Sequence, residues 1–159
     1  MRRSAPLIAF VGGAAILGVA LLVFLASGSE GKEEWTTYYN GRFDYAFDHP
    51  PGWEVSTRDP AQAETMQIQM AQVTNGKDSV IVAVNLPMPA CEGSARRDQA
   101  EVVVKEVKGQ QFDCYNGQQP SQIVRDFQGP ESRRYMVMGQ PASEQKTVRR
   151  IVESFRFLD

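Results

Sequence analysis

Apolar and polar residues alternate along much of the chain, which is the pattern of half-buried β-strands. Phe43, Tyr45 and Phe47 alternate with polar or small residues, so they predict a strand with one aromatic face. The run from Val80 to Leu86 places apolar residues on both faces of a strand. This predicts a central strand that is covered on both sides. The pattern therefore indicates a domain built mainly from strands.

Turn-forming residues separate the other predicted strands. A strand from Thr65 to Val73 is followed by Asn75-Gly76, a two-residue hairpin signal because both positions tolerate positive φ. Two further strands, Ile123 to Phe127 and Arg134 to Met138, are joined by Gly129-Pro130. Strands that follow one another through such short turns favour antiparallel pairing.

Two segments have the period of an amphipathic helix, with a capping serine before each. Ser94 can cap a helix through about Lys108, although three consecutive valines from Val102 favour a strand instead. Ser143 can cap a second helix near the end of the chain. The apolar stripes are Ala100, Val103, Val104 and Val107 in the first segment, and Val148, Ile151, Val152 and Phe155 in the second. We therefore predict an α+β domain: a mainly antiparallel sheet with helices packed on it.

The longest apolar run, Leu7 to Ala26, contains no charged residue and follows Arg2-Arg3. A helix of this length spans about 30 Å, the thickness of a bilayer's hydrocarbon core. Residues 1–26 therefore predict a single-pass anchor in the cytoplasmic membrane, with the N-terminus in the cytoplasm and the rest in the periplasm or extracellular space. A cleaved signal peptide is the alternative, because Ala26-Ser27-Gly28 offers small residues before a cut.

Small residues at helical spacing predict that the anchor can pack against another membrane helix. They form two pairs, Ala9 with Gly13 and Ala14 with Gly18. Residues 27–34 are a short polar linker, and the exported domain is predicted to occupy residues 35–159. Its first residues, Trp35 to Tyr39, are either an aromatic belt at headgroup depth or the first strand of the domain.

Charge excludes one class of partner. The chain has a net charge of −2, and the part after residue 29 has 15 Lys and Arg against 19 Asp and Glu, a net −4. A mildly acidic domain lacks the basic surface that binds nucleic acid, and it has no strong attraction for anionic lipid headgroups.

The two cysteines, Cys91 and Cys114, are predicted to form a disulfide because the domain is predicted to be exported. Such a bond closes a loop of about 23 residues and stabilises by about 3 kcal/mol on the chain-entropy model. The alternative is two unrelated buried thiols.

Residues with catalytic or metal-binding chemistry are sparse. His49 is the one histidine, and it lies in a proline turn beside Asp48, where a structural role is favoured over catalysis. Asp44, Asp48 and His49 are at most a loose surface site for a divalent cation. The sequence has no phosphate-binding glycine loop and no nucleophile elbow. We expect no enzymatic activity, no cofactor and no resident metal.

Three pairs of arginines stand out on the predicted domain: Arg96-Arg97, Arg133-Arg134 and Arg149-Arg150. Solvated faces and surface ion pairs are the favoured interpretation. The alternative is a protein-docking surface, because arginine is enriched at interfaces. That surface would comprise Arg133, Arg134, Arg149 and Arg150.

Both ends of the domain resemble the PsbP-like family, whose namesake is an extrinsic protein of photosystem II. The first motif consists of Asn40, Phe43, Pro50, Gly52 and Trp53. The second is the closing segment 148–157, which resembles the family's final helix running into a Ser-Phe-x-Phe end. The resemblance implies a sheet with helices on its faces. It also implies small exported domains, many of them anchored and of unknown role.

These expectations lead to two hypotheses of function. The first is a non-catalytic, membrane-anchored accessory subunit whose exported domain docks on a larger integral membrane complex and stabilises it. By the resemblance, a photosynthetic complex is one candidate host. The second is a stand-alone exported domain that binds a small ligand, a lipid or a peptide in a pocket over the sheet. A hydrolase using scattered acids is a third and weaker hypothesis.

Overall fold

The computed structural model describes residues 34–58 and 67–159. No helix within these ranges is long and apolar enough to cross a bilayer. The predicted anchor at residues 7–26 lies outside them, with its pairs Ala9/Gly13 and Ala14/Gly18, as does most of the linker. The elements are β1 (Thr36–Asn40), β2 (Tyr45–His49), β3 (Glu54–Arg58), β4 (Gln69–Thr74), β5 (Ser79–Val84), β6 (Ala95–Val104), β7 (Val107–Asn116), β8 (Gln119–Gln128), a 3₁₀ turn (Pro130–Ser132), β9 (Arg134–Gln140), α1 (Gln145–Ser154) and β10 (Arg156–Phe157).

Seven of the strands form one antiparallel sheet in the order β3-β4-β5-β9-β8-β7-β6. A smaller antiparallel sheet has the order β1-β2-β10. The predicted mainly antiparallel sheet is therefore confirmed, and the described residues contain one α-helix where two were predicted. The predicted strands 123–127 and 134–138 lie within β8 and β9.

The main core lies between one face of the large sheet and a layer made of α1 and the small sheet. The predicted stripe of α1 is confirmed, since Val148, Ile151 and Val152 are buried, at about 1.5–3 kcal/mol each. Gly139 in β9 lets the helix approach closely. A Cβ there would lie 2.5 Å from Val148 Cγ1 and 2.9 Å from Val152 Cγ2.

Asn40 explains why the first family-like motif is structural. Its Oδ1 accepts hydrogen bonds from the backbone amides of Arg42 and Phe43, both at 3.1 Å, so it closes the turn between β1 and β2. Its Nδ2 donates to the Tyr45 hydroxyl at 3.2 Å. The Phe43 ring enters the core, and its carbonyl accepts a hydrogen bond from Tyr135 Oη at 3.0 Å. The motif therefore ties the small sheet to β9.

A second, smaller core covers the opposite face of the large sheet. Its buried side chains are Phe112, Cys114, Val124, Met136 and Met138, and the segment after β5 packs over them through Met88 and Ala90. This arrangement confirms the prediction that β5 is covered on both sides: Val80, Val82 and Val84 face the main core, and Ala83 is buried on the other side.

The predicted helix from Ser94 to Lys108 is wrong. The segment forms β6, a two-residue turn at Lys105-Glu106, and the start of β7. Both turn residues have positive φ, 48° and 67°, as a type I′ hairpin turn requires. The β-branched valines favour the strand, and because β6 is an exposed edge strand its pattern shows little apolar alternation.

Three local expectations are also settled. Residues 36–39 of the Trp35–Tyr39 region belong to strand β1, which does not test whether their side chains also form an aromatic belt. The hairpin at Asn75-Gly76 is confirmed, but its loop has four residues, 75–78, rather than two. Ser143 does not cap α1: the N-cap residue is Glu144, and the Ser143 hydroxyl bonds to Asp78.

Candidate interaction surface

Cys91 and Cys114 form the predicted disulfide, with their Cα atoms 5.0 Å apart. Cys114 lies in β7 beside Phe112, and Cys91 lies in the segment that covers the second core. The Cys91 amide also donates to Gln122 Oε1 at 2.9 Å. The bond therefore fastens this covering segment to the sheet.

The arginines at the start of β9 are held by carboxylates. Arg134 forms a two-pronged pair with Asp126, with Nε–Oδ1 and Nη2–Oδ2 distances of 2.9 and 2.7 Å. This hydrogen bonding raises the pKa of Arg134. Arg133 pairs with Glu131 and lies 3.9 Å from Asp44, and its guanidinium sits 5.6 Å from the centre of the Phe43 ring.

The arginines of α1 point to two different neighbours. Arg149 pairs with the buried carboxylate of Asp113 in β7. Burial lowers the pKa of Arg149, but the hydrogen bond and charge of Asp113 outweigh it and raise the pKa overall. Arg150 lies over the ring of Trp35, 3.8 Å from the ring centre, on the side of the small sheet.

Arg96 and Arg97 on β6 also contact aromatic rings. Arg96 lies 3.8 Å from the centre of the Phe112 ring, and Arg97 lies 5.1 Å from that of Tyr115. The Tyr115 hydroxyl donates to Asp98 Oδ2 at 3.0 Å, which raises the pKa of Tyr115. The arginine pairs are thus fixed by rings and carboxylates of the same chain.

The structure does not bring the four predicted docking arginines together. By strand alternation, Arg134 shares the sheet face of Met136 and Met138, opposite α1, whereas Arg149 and Arg150 lie on α1 itself. Arg134 and the two arginines of α1 therefore lie on opposite sides of the large sheet, whereas Arg133 contacts Asp44 and the Phe43 ring in the turn between β1 and β2. A docking role for either surface remains a prediction.

The residues considered for chemistry have structural partners. Asp48 accepts hydrogen bonds from Thr37 Oγ1 at 2.7 Å and from Arg156 Nη1 at 3.0 Å. His49 Nδ1 lies 3.1 Å from the carbonyl oxygen of Pro50. Within residues 34–58 and 67–159, no group of three His, Cys, Asp or Glu side chains is placed to hold a metal ion.

An open depression of about 300 Å³ beside Phe127 includes both partners of the Arg134–Asp126 pair.

Asp78 is the structural residue that the sequence did not reveal. It is fully buried, and its carboxylate accepts from the backbone amides of Ala142, Ser143 and Glu144 at 2.6, 2.8 and 3.0 Å. Burial raises the pKa of Asp78, but these bonds and that of the Ser143 hydroxyl hold it far below its usual range. A single Asp in a turn gives no sequence signal for partners more than sixty residues away.

Comparison with known proteins identifies the fold. No protein-family profile matches the chain, and no curated protein sequence matches it significantly. Among solved structures, the chain is similar to the solution structure of cyanobacterial PsbP (CyanoP) from Synechocystis sp. PCC 6803. The TM-score is 0.50 at 9% sequence identity, and the match covers 82% of this chain and 96% of that one. The described domain therefore has a PsbP-like fold.

Proposed function

We propose that this chain is a non-catalytic, membrane-anchored accessory subunit whose exported domain docks on a larger integral membrane protein complex and stabilises it. The observation that carries the proposal is the distance between the apolar run and the folded domain. The run ends at Ala26 and β1 begins at Thr36. The linker of residues 27–34 reaches at most about 28 Å when fully extended. An anchored domain on so short a linker meets partners at the membrane surface.

The fold supports this proposal but does not identify the host complex. The similar structure is a cyanobacterial PsbP, and the PsbP-like resemblance makes a photosynthetic complex one candidate host. The domain would act in the periplasm or extracellular space. The small residues Ala9, Gly13, Ala14 and Gly18 would let the anchor contact a membrane helix of the same host.

The arginine contacts suit a docking domain. Rings and carboxylates hold the guanidinium groups of Arg134, Arg149 and Arg150 in place. Side chains that are already ordered lose less conformational entropy on association than free ones. The surface at the start of β9, with its Arg134–Asp126 pair, is therefore a pre-organised candidate for the contact with the host.

The test is co-purification from native membranes after mild detergent extraction and cross-linking. We expect the full chain to recover an integral membrane complex, and Arg134→Gln to reduce that recovery. Arg58→Gln is the matched control, because Arg58 is exposed on the edge strand β3, three strands away from β9 in the sheet. A chain that migrates alone in the extract, with no cross-linked membrane protein, contradicts the proposal.

A further inference from the structure

The side chains where the chain enters the domain form an unusual patch of exposed surface. Tyr38 packs against the main core, so alternation along β1 turns Tyr39 outward. Tyr39 is 65% exposed, and Val103, at 59%, is the other exposed large hydrophobic side chain among the residues that the structure describes. An exposed tyrosine beside a predicted membrane anchor needs a physical explanation.

Two arginines contact other residues of the segment that leads to Tyr39. Arg150 covers the partly buried ring of Trp35, with 3.8 Å between the guanidinium carbon and the ring centre. Thr37 lies on the Tyr39 side of β1, and Arg156 Nη2 donates to its hydroxyl at 3.4 Å. Both also bond Asp48 Oδ1, at 2.7 Å from Thr37 Oγ1 and 3.0 Å from Arg156 Nη1, so the charge of Arg156 is paired. Trp35 and Tyr39 are about 13 Å apart along an extended chain. We name it the aromatic face: Trp35, Thr37, Tyr39, Arg150 and Arg156.

The linker joins the domain at the aromatic face. Glu34 is the last linker residue, and Trp35 follows it directly. A linker of at most about 28 Å limits how far Trp35, at the edge of this face, can lie from the anchor, and it sets no equally tight limit on surfaces far from Trp35. The other exposed hydrophobic side chain lies on the other sheet. Val103 belongs to the edge strand β6 of the large sheet, and it points away from the core beneath α1 because Val102 and Val104 point towards it.

The chemistry of the aromatic face matches the headgroup layer of a bilayer. Tryptophan and tyrosine rings are favoured at headgroup depth, where the ring meets apolar chains and the polar atom meets water. An arginine guanidinium can bond phosphate through a pair of N–H groups. The net charge of −4 after residue 29 gives no long-range attraction to anionic lipid, so contact depends on the anchor.

We propose that the aromatic face rests on the phospholipid headgroups of the bilayer that residues 7–26 span. The proposal rests on the anchored state of the proposed function and adds an orientation to it. The opposite side of the domain, with β6 and the second core, then faces away from the membrane. The occupant is the lipid surface itself, so the contact forms without any protein partner.

Paramagnetic relaxation in nanodiscs tests this orientation. The full chain is reconstituted into phosphatidylcholine nanodiscs that carry a small fraction of gadolinium-chelating headgroups, and its NMR signals are compared with those in discs without gadolinium. We expect the signals of Tyr39 and the Trp35 indole to broaden several-fold more than the Val103 methyl signals. Equal broadening of Tyr39 and Val103, or stronger broadening of Val103, overturns the proposal.

Variants separate this inference from the proposed function. Tyr39→Ser is expected to reduce the broadening at Trp35, Tyr39→Trp to preserve it, and the matched control Val103→Ser to leave it unchanged. Flotation of the full chain with vesicles is measured first. A chain that fails to float refutes the anchor and hence both proposals. A chain that floats but shows equal broadening of the Tyr39 and Val103 signals refutes only the orientation.

Discussion

The carboxylate of Asp78 accepts hydrogen bonds from both the backbone amide and the hydroxyl of Ser143, at 2.8 and 2.6 Å. Asp78 ends the loop before β5, and Ser143 lies two residues before α1 begins. A buried carboxylate thus binds consecutive backbone amides next to the positive end of the helix, an arrangement that favours negative charge. The bonds fix where α1 starts and hence how its apolar stripe meets the sheet.

Replacing Asp78 with Asn is expected to lower the free energy of unfolding by about 2–4 kcal/mol, because a neutral amide cannot satisfy all the donors that the carboxylate satisfies. Ser143→Ala removes one hydroxyl bond and should cost about 1 kcal/mol. Urea unfolding of both variants checks the order. Equal losses would show that the backbone amides do not depend on the carboxylate.

Lowering the pH should weaken the interaction between the Asp78 carboxylate and the residues before α1. The pKa of Asp78 is depressed in the folded domain, so the stability that it contributes is present above the ordinary Asp pKa of about 4. It is lost progressively as the pH falls from there through the depressed value. Between pH 5 and pH 2, the unfolding free energy of the wild type should therefore fall more steeply than that of Asp78→Asn. Parallel curves for the two proteins would contradict this assignment.

Loss of the disulfide should destabilise the domain without changing its fold. The bond joins residues separated by 23 positions, and on the chain-entropy model its removal costs about 3 kcal/mol. The double variant Cys91→Ser/Cys114→Ser should melt at a lower temperature while keeping its strand content by circular dichroism. Wild-type protein under reducing conditions is the control and should melt close to the double variant. An unchanged melting temperature would contradict a stabilising role.

Gly109 is expected to be intolerant of a side chain. A Cβ at this position in β7 would lie 2.6 Å from the carbonyl oxygen of Asp126 and 2.7 Å from Cε1 of Phe127. Gly109→Ala should therefore lower the unfolding free energy by about 1–3 kcal/mol. Gly41→Ala is the matched control, because a Cβ there meets nothing within 4 Å. Thermal melts of the two variants should differ clearly, and similar melts would show that Phe127 can move aside at little cost.

The buried parts of this fold could be predicted because buried apolar residues recur along the sequence with the period of their helix or strand. The stripe of Val148, Ile151 and Val152 identified α1, and the doubly apolar run from Val80 identified a strand covered on both faces. The prediction of a helix over 94–108 was wrong because β6 is an exposed edge strand. Without a buried face it has no clear apolar alternation, and its valines also fit a helical spacing. Lys105-Glu106 adopts positive φ without the Asn or Gly that usually marks such a turn.

The contacts of the candidate surface were only partly predictable. The arginine pairs are visible in the sequence, and ion pairing was the favoured interpretation of them. Their partners come from distant parts of the chain. Arg149 pairs with Asp113 in β7, and Arg150 contacts Trp35, which precedes β1. Local periodicity carries no information about such distant pairs, and the same holds for the bond between Asp78 and Ser143.

The most direct test of the accessory-subunit account exchanges the membrane anchor. Residues 1–26 are replaced by a cleavable signal peptide, so that the same domain is exported without its anchor. Association with the integral membrane complex is then measured by co-purification, and circular dichroism confirms that the released domain is folded. We expect association to be lost, because the anchor holds the domain at the surface of its host. Association that survives the exchange at wild-type level would show that the anchor only localises the domain, and would contradict a role for it in docking.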